Sequence, residues 1–213
     1  MTISLYTLDK EGVYDLVFLG ILITVGGLFY RNNDILSICI VLIALSISLE
    51  LLWLLREHEA FRWLTYLLAI AICYWLRESL LTRYVIAIIL IELGAYIYYL
   101  SFEYARIPGT DWFLMSTCLG LVYRRLFFMR DVYLSPLFKH LSDTQLDFKL
   151  YKIFGYGLIL NGLMVIEYTA RHALGISIQI VYDSHPYIIR LLTALVLFYI
   201  INFSSEDVYK RYF

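Results

Sequence analysis

Charged residues are scarce in this chain. They make up 16% of its 213 residues, whereas 62% of the residues are hydrophobic. Soluble domains carry about a quarter charged residues and are nearer half apolar. A soluble protein of this size could not bury so much apolar surface, so the composition predicts lipid as the solvent. The formal net charge of −1 argues against nucleic-acid binding.

Cysteine and proline are also rare, with three of each. Cys39, Cys73 and Cys118 all lie inside apolar runs, and they form no CxxC pair, so the sequence predicts no disulfide framework. The chain contains no HExxH or GxSxG motif, no Ser/Lys dyad and no paired intramembrane aspartates. These absences disfavour an enzyme, and nothing in the sequence points to a cofactor.

Apolar runs long enough to cross a bilayer dominate what remains. Six of them lie at residues 13–30, 35–55, 61–76, 84–102, 153–170 and 186–203. Charges bracket each run, and aromatic residues, which favour the headgroup level, stand near several ends. A seventh candidate, from Trp112 to Tyr123, is short for a span. The sequence therefore predicts a single all-α polytopic transmembrane domain over residues 1–213, a bundle of seven or alternatively six helices with short loops.

The distribution of lysine and arginine predicts which side faces the cytoplasm. Both span counts place most basic residues on one side, including those of residues 124–152 and of the C-terminal tail. By the positive-inside rule this side is cytoplasmic, and the two alternatives differ over the side on which the N-terminus lies. We therefore expect a multi-pass protein integral to a cell membrane.

The sequence pattern of residues 134–149 predicts an amphipathic segment on the cytoplasmic surface. Ser135-Pro136 is typical of a helix start, with Ser as the N-cap and Pro in the first position. Apolar residues then follow at helical spacing, at Leu134, Leu137, Phe138 and Leu141. Such a helix would lie on the membrane surface with its apolar side in the lipid.

An acid in the middle of the fourth run is the clearest functional signal. Glu92 lies about halfway between Tyr84 and Phe102, so a helix through this run holds its carboxyl group near the bilayer midplane. An ionisable group at that depth is costly unless it is protonated, paired or hydrated, and it is therefore usually functional. The other interpretation is a protonated Glu92 that bonds a neighbouring helix.

The residues that follow Glu92 extend this signal toward the membrane surface. Tyr96, Tyr99 and Glu103 recur at helical spacing and would share its face. We expect a small channel or transporter that conducts protons or cations along this face, with Glu50 in the second run as an accessory acid. A protein with so little mass outside the membrane would enclose such a path as a homo-oligomer or with a partner membrane protein.

The alternative function is a non-catalytic membrane subunit that senses or anchors. Such a subunit would bind a partner protein or lipid through its basic cytoplasmic stretch. The residues that would make this surface are Arg124, Arg125, Arg130 and Lys139.

Two further polar groups have structural interpretations. Asn161 stands between Gly157 and Gly162, which predicts close helix packing with an interhelical amide hydrogen bond. Glu167 has Arg171 at i+4, which predicts a local salt bridge.

Histidines are few and match no metal-binding motif. His58, His172 and His185 would share the outer face if the chain crosses seven times, and zinc commonly takes histidine ligands. Their spacing nevertheless fits no known zinc pattern, so we expect no metal site.

Overall fold

All regular secondary structure is helical in the part of the chain that the structure describes. The computed structural model describes residues 11–55, 59–102, 111–142 and 144–212. Its helices are α1 (Glu11–Leu28), α2 (Asn33–Leu55), α3 (Glu59–Trp75), α4 (Leu80–Ser101), α5 (Asp111–Phe128), α6 (Arg130–Leu134), α7 (Gln145–Leu174) and α8 (Ile180–Tyr212). The all-helical prediction is confirmed for these residues.

Four of these helices are long and apolar enough to cross a membrane. The spans lie in α2, α4, α7 and α8, at Asn33–Leu52, Leu80–Ser101, Gln145–Leu174 and Ile180–Ser205. Two shorter apolar stretches occur in α1 and α3, at Tyr14–Leu28 and Trp63–Trp75. Several helices are thus compatible with a membrane location, whereas the count of seven spans stays a prediction.

Large apolar side chains stand on the outside of these helices. On α4, Leu90 is 64% exposed and Ile97 is 62% exposed, whereas Glu92 between them is 4% exposed. A water-soluble helix shows the opposite arrangement, with its apolar face packed inside. The exposed apolar face of α4 is therefore compatible with a membrane location.

The chain forms two compact units. Unit 1 comprises Met1–Ser48, Arg125–Ile153 and Tyr187–Phe213, and unit 2 comprises Leu49–Arg124 and Phe154–Pro186. The core of unit 2 is built from α3, α4, α5 and α7. Its buried members include Ala69, Val85, Ile88, Leu114, Cys118, Leu121, Leu158 and Val165.

Side-chain caps fix the starts of two helices in unit 1. Asn32 Oδ1 accepts hydrogen bonds from the backbone N–H groups of Asp34 (3.0 Å) and Ile35 (3.2 Å), at the start of α2. At the start of α7, Thr144 Oγ1 accepts from the Asp147 N–H (3.3 Å), while Asp147 Oδ2 accepts from the Thr144 N–H (2.9 Å). This reciprocal pair is a capping box, and it satisfies N–H groups that have no partner within the helix.

The helix expected from Ser135 is not formed. Helix α6 ends at Leu134, and residues 135–140 make turns in which the Leu134 carbonyl accepts from the Leu137 and Phe138 N–H groups. His140 then adopts a left-handed conformation with φ of 58°. A Ser-Pro pair favours turns as well as helix starts, so the pattern alone does not separate the two.

Candidate functional site

Glu92 lies on the buried face of α4. This face repeats at helical spacing and contains Thr82, Val85, Ile88, Ile89, Glu92, Ala95 and Tyr99. Ile88 and Ile89, one turn before the acid, belong to the core of unit 2. The carboxyl group is therefore held among helices and not against lipid, about halfway along a candidate span.

The two tyrosines that follow Glu92 differ in their surroundings. Tyr99 is buried, with 2% of its surface exposed. Tyr96 is half-buried, and its ring meets the edge of Trp63 on α3 with the centroids 6.0 Å apart. Glu103 lies outside the described residues. Of the residues expected to line the path, Glu92 and Tyr99 thus lie on the buried face of α4.

Glu50 is placed differently from Glu92. It lies near the end of α2 in unit 2, and its side chain is exposed. The exposed position separates it from the buried face on which Glu92 and Tyr99 lie. We therefore leave Glu50 out of the candidate site.

Asn161 joins three helices in the interior of unit 2. Its Nδ2 donates a hydrogen bond to Ser116 Oγ on α5 at 2.9 Å. Its Oδ1 lies 2.8 Å from His185 Nε2 on α8. The Phe113 ring on α5 meets the His185 ring edge to face, with the centroids 5.4 Å apart. Asn161 is 8% exposed, whereas Ser116 and His185 are half-buried.

Gly162 allows α4 to approach the backbone of α7. The Tyr84 hydroxyl donates to the Ile159 carbonyl at 2.9 Å. A Cβ added at Gly162 would collide with that hydroxyl, and would lie 2.6 Å from Tyr84 Cζ. Gly157, the other small residue of the predicted packing motif, is half-buried on the same helix.

Glu167 caps the first turn of α8. Its two carboxylate oxygens accept from the backbone N–H groups of Val181 (2.7 Å) and Tyr182 (2.9 Å). A carboxylate in this position is stabilised by the N–H groups and by the helix dipole. The guanidinium of Arg171, the salt-bridge partner that the sequence predicted, lies over the rings of Tyr168 and Tyr182 instead.

The histidines form no metal site in the described residues. No group of three or more histidine, cysteine, aspartate or glutamate side chains that could hold a metal ion occurs among them. His172 stacks on Tyr168 with a centroid distance of 4.3 Å, and His185 contacts Asn161. His58 lies outside the described residues.

Arg130, which the sequence placed on a docking surface, is buried in unit 1 with 1% of its surface exposed. Its Nε and Nη2 donate to the two carboxylate oxygens of Asp147 at 2.6 and 2.9 Å. Nη2 also donates to Asp34 Oδ1 (3.0 Å) and to the Ser142 carbonyl (2.9 Å), and Nη1 donates to Ser37 Oγ (2.6 Å). This guanidinium is not available to a partner protein, and we call the five residues the Arg130 cluster.

The charge of Arg130 is maintained by its partners. Burial by itself lowers the pKa of the guanidinium, but the hydrogen bonds and negative charges of Asp147 and Asp34 outweigh burial and raise this pKa above its usual value. The side chain therefore stays protonated and ties the first turns of α2 and α7 to α6.

The other residues of the expected docking surface are more accessible. Arg124 and Arg125 are half-buried near the end of α5, and a Cβ at Gly155 would lie 3.4 Å from Arg124 Nε. Lys139 is exposed, and its backbone carbonyl accepts a hydrogen bond from Asn33 Nδ2 at 2.6 Å. Arg130 is therefore excluded from the expected docking surface, whereas a role for Arg124, Arg125 and Lys139 stays a prediction.

Comparison of the chain with protein-family models, with curated proteins and with solved structures found no match. The candidate site is therefore defined by its own geometry. It comprises the buried face of α4 around Glu92 and the polar chain of Ser116, Asn161 and His185, all within unit 2.

Proposed function

We propose that this protein carries protons or a small cation across a membrane through the interior of unit 2. The observation that supports the proposal most directly is the placement of Glu92. Its carboxyl group lies about halfway along a candidate span, on the buried face of a helix whose opposite face exposes Leu90 and Ile97. A titratable acid in such a place faces the protein interior, where transported ions would pass.

A carboxyl group suits this task because it exists in two forms of different charge. When neutral, Glu92 is tolerated in a low-dielectric interior, and when water or a cation reaches it the charged form is stabilised. Tyr99, buried on the same face, and Tyr96, half-buried beside Trp63, would supply hydroxyl groups for water or a proton along the route. Alternation of Glu92 between its neutral and its charged form would move one proton or cation in each cycle.

The topology that we propose has seven spans, α1 to α5 with α7 and α8. It is supported by the helical conformation of all seven apolar segments that the sequence singles out, including the short ones in α1, α3 and α5. A short span is accommodated by local thinning of the bilayer at modest cost. Residues 124–152 and the C-terminal tail would lie in the cytoplasm, because the side of the membrane that contains them carries more lysine and arginine residues than the other side.

The test of this function is proton and cation flux in liposomes reconstituted with purified protein. Glu92→Gln keeps the size of the side chain and one carbonyl oxygen, replaces the other oxygen by a donating NH2 group, and cannot change its charge. We expect it to lower the flux by about 100-fold, the scale associated with a positioned proton-transfer group. The flux would be followed with a pH-sensitive dye trapped inside the vesicles.

Glu78→Gln is the matched control for this experiment. Glu78 is exposed in the connection between α3 and α4, so the substitution removes a carboxylate of the same kind outside the buried face. Its flux should equal that of the unaltered protein. Equal flux in the Glu92→Gln and Glu78→Gln proteins would remove Glu92 from the mechanism.

A further inference from the structure

Three polar side chains from three helices form a short chain inside unit 2. Ser116 on α5 accepts from Asn161 on α7, and Asn161 faces His185 on α8. The proposed function does not use these residues. His185 lies in a candidate membrane span. Histidine within such a segment is rare and commonly marks a proton relay.

The donors and acceptors of the chain determine which ring nitrogen of His185 carries a hydrogen. With Asn161 Nδ2 directed at Ser116 Oγ, the amide oxygen Oδ1 is the atom that faces His185. An amide oxygen only accepts hydrogen bonds. His185 Nε2 must therefore donate, and in the neutral imidazole the hydrogen lies on Nε2 while Nδ1 keeps its lone pair.

This arrangement has a consequence for proton uptake. A proton that arrives at His185 bonds to the Nδ1 lone pair and leaves again from the same atom. The Nε2–H hydrogen bond to Asn161 is kept in both states, and it becomes charge-assisted when the ring is protonated. Uptake and release thus need no rotation of the imidazole, whose edge-to-face contact with Phe113 also stays in place.

We infer that Ser116, Asn161 and His185 form a second protonation site of this protein, in which Asn161 holds neutral His185 as its Nε2–H tautomer and Nδ1 takes up and releases the proton. This inference rests on the proposed function, because it assigns a second carrier to the same flux. In this site His185 holds the proton, and Asn161 and Ser116 are positioning residues.

Charged residues of both signs stand near the three polar residues along their own helices. Along the three helices, the charged residues within about two turns of the chain are Asp111, Glu167, Asp183 and Arg190. Glu167 is bound to the first N–H groups of α8, and Asp183 is exposed. Arg190 belongs to unit 1.

The first test is the tautomer of His185, measured by nitrogen-15 NMR on the full chain with labelled histidine in lipid. The chain has four histidines, so a His185→Gln sample identifies the resonance. At a pH where the ring is neutral, we expect a protonated Nε2 and an unprotonated Nδ1, and we expect Asn161→Leu to abolish this preference. An Nδ1–H tautomer, or a mixed population unaffected by Asn161→Leu, would overturn the inference.

The second test is proton flux in liposomes. His185→Gln should lower the flux by about tenfold or more, as expected for the loss of a proton-transfer group. His172→Gln serves as the control, because His172 stacks on Tyr168 and takes no part in the chain. Its flux should equal that of the unaltered protein.

The two tests separate failure of this inference from failure of the proposed function. A flux that Glu92→Gln abolishes but His185→Gln leaves unchanged would overturn the second protonation site alone. A flux that survives Glu92→Gln would remove Glu92 from the mechanism, and the absence of flux through the unaltered protein would overturn the proposed function, whatever the tautomer of His185. If His185→Gln fails to fold, single His→Gln samples of the other three histidines identify the His185 resonance by elimination, so the tautomer can still be read in the unaltered protein.

Discussion

Replacing Arg130 by methionine should lower the free energy of unfolding by about 3–5 kcal/mol, the cost of breaking a buried ion pair from one side. Arg130 is 1% exposed, and it donates to Asp147, Asp34, Ser37 and Ser142. Methionine fills part of the volume but leaves a buried carboxylate at Asp147, itself 2% exposed, without its cation. The measurement is equilibrium unfolding of the protein in mixed detergent micelles, followed by tryptophan fluorescence.

Two further variants identify the cause of this loss. Arg125→Met removes a half-buried arginine in the last turn of α5, and we expect it to cost less than about 1 kcal/mol. Combining Arg130→Met with Asp147→Asn removes the uncompensated charge, so the double variant should be less destabilised than the sum of the two single variants. An Arg130→Met protein as stable as the Arg125→Met protein would show that the Arg130 cluster does not hold unit 1 together.

Replacing Gly162 by alanine should destabilise the protein by about 1–3 kcal/mol, the usual cost of an extra methyl group in a packed interior. The new Cβ would collide with the Tyr84 hydroxyl and lie 2.7 Å from Tyr84 Cε1. To relieve the contact, Tyr84 must retreat and lose its hydrogen bond to the Ile159 carbonyl. The higher helix propensity of alanine offsets only part of this loss.

The sign of the Gly162 effect should reverse when Tyr84 is shortened. In a Tyr84→Ala background the space is open, so Gly162→Ala should be neutral or stabilising by up to about 1 kcal/mol. Gly94→Ala on α4 is the control, because a Cβ there meets no atom within 4 Å. Equal effects of Gly162→Ala in both backgrounds would contradict the close approach of Tyr84 to α7.

The positions of the helices were predictable because long apolar runs bounded by charges leave a membrane chain no other regular structure. All six clear runs, and the short one after Trp112, lie in helices of the described chain. The burial of Glu92 followed from the same reasoning only in part. The sequence places it at mid-helix, but the face of α4 that packs inside is determined by α3, α5 and α7.

The partners of Arg130 could not be read from the sequence. Arg124, Arg125 and Arg130 are close in the chain, so the sequence predicts one basic surface. Arg130 instead pairs with Asp34, which is 96 residues away, and with Asp147. One signal was present: Thr144 and Asp147 have the spacing of a capping box, which marks the start of α7 and places a carboxylate in its first turn.

The partners of Asn161 and Glu167 could not be read from the sequence either. Small residues around Asn161 predict close packing, and the structure places Ser116 and His185 against its amide. Nothing local to Asn161 names these partners, because they lie on other helices. Arg171 is close to Glu167 in the sequence, yet the Glu167 carboxylate accepts hydrogen bonds from the backbone N–H groups at the start of α8. These N–H groups have no partner within the helix.

The most direct test of the central claim is whether Glu92 changes its protonation state when protons cross the membrane. We would record infrared difference spectra of the reconstituted protein while a proton gradient is imposed. We expect a carboxylic acid C=O band that appears with the gradient, that Glu92→Gln abolishes and that Glu78→Gln leaves in place. The same band in the Glu92→Gln protein would contradict this claim.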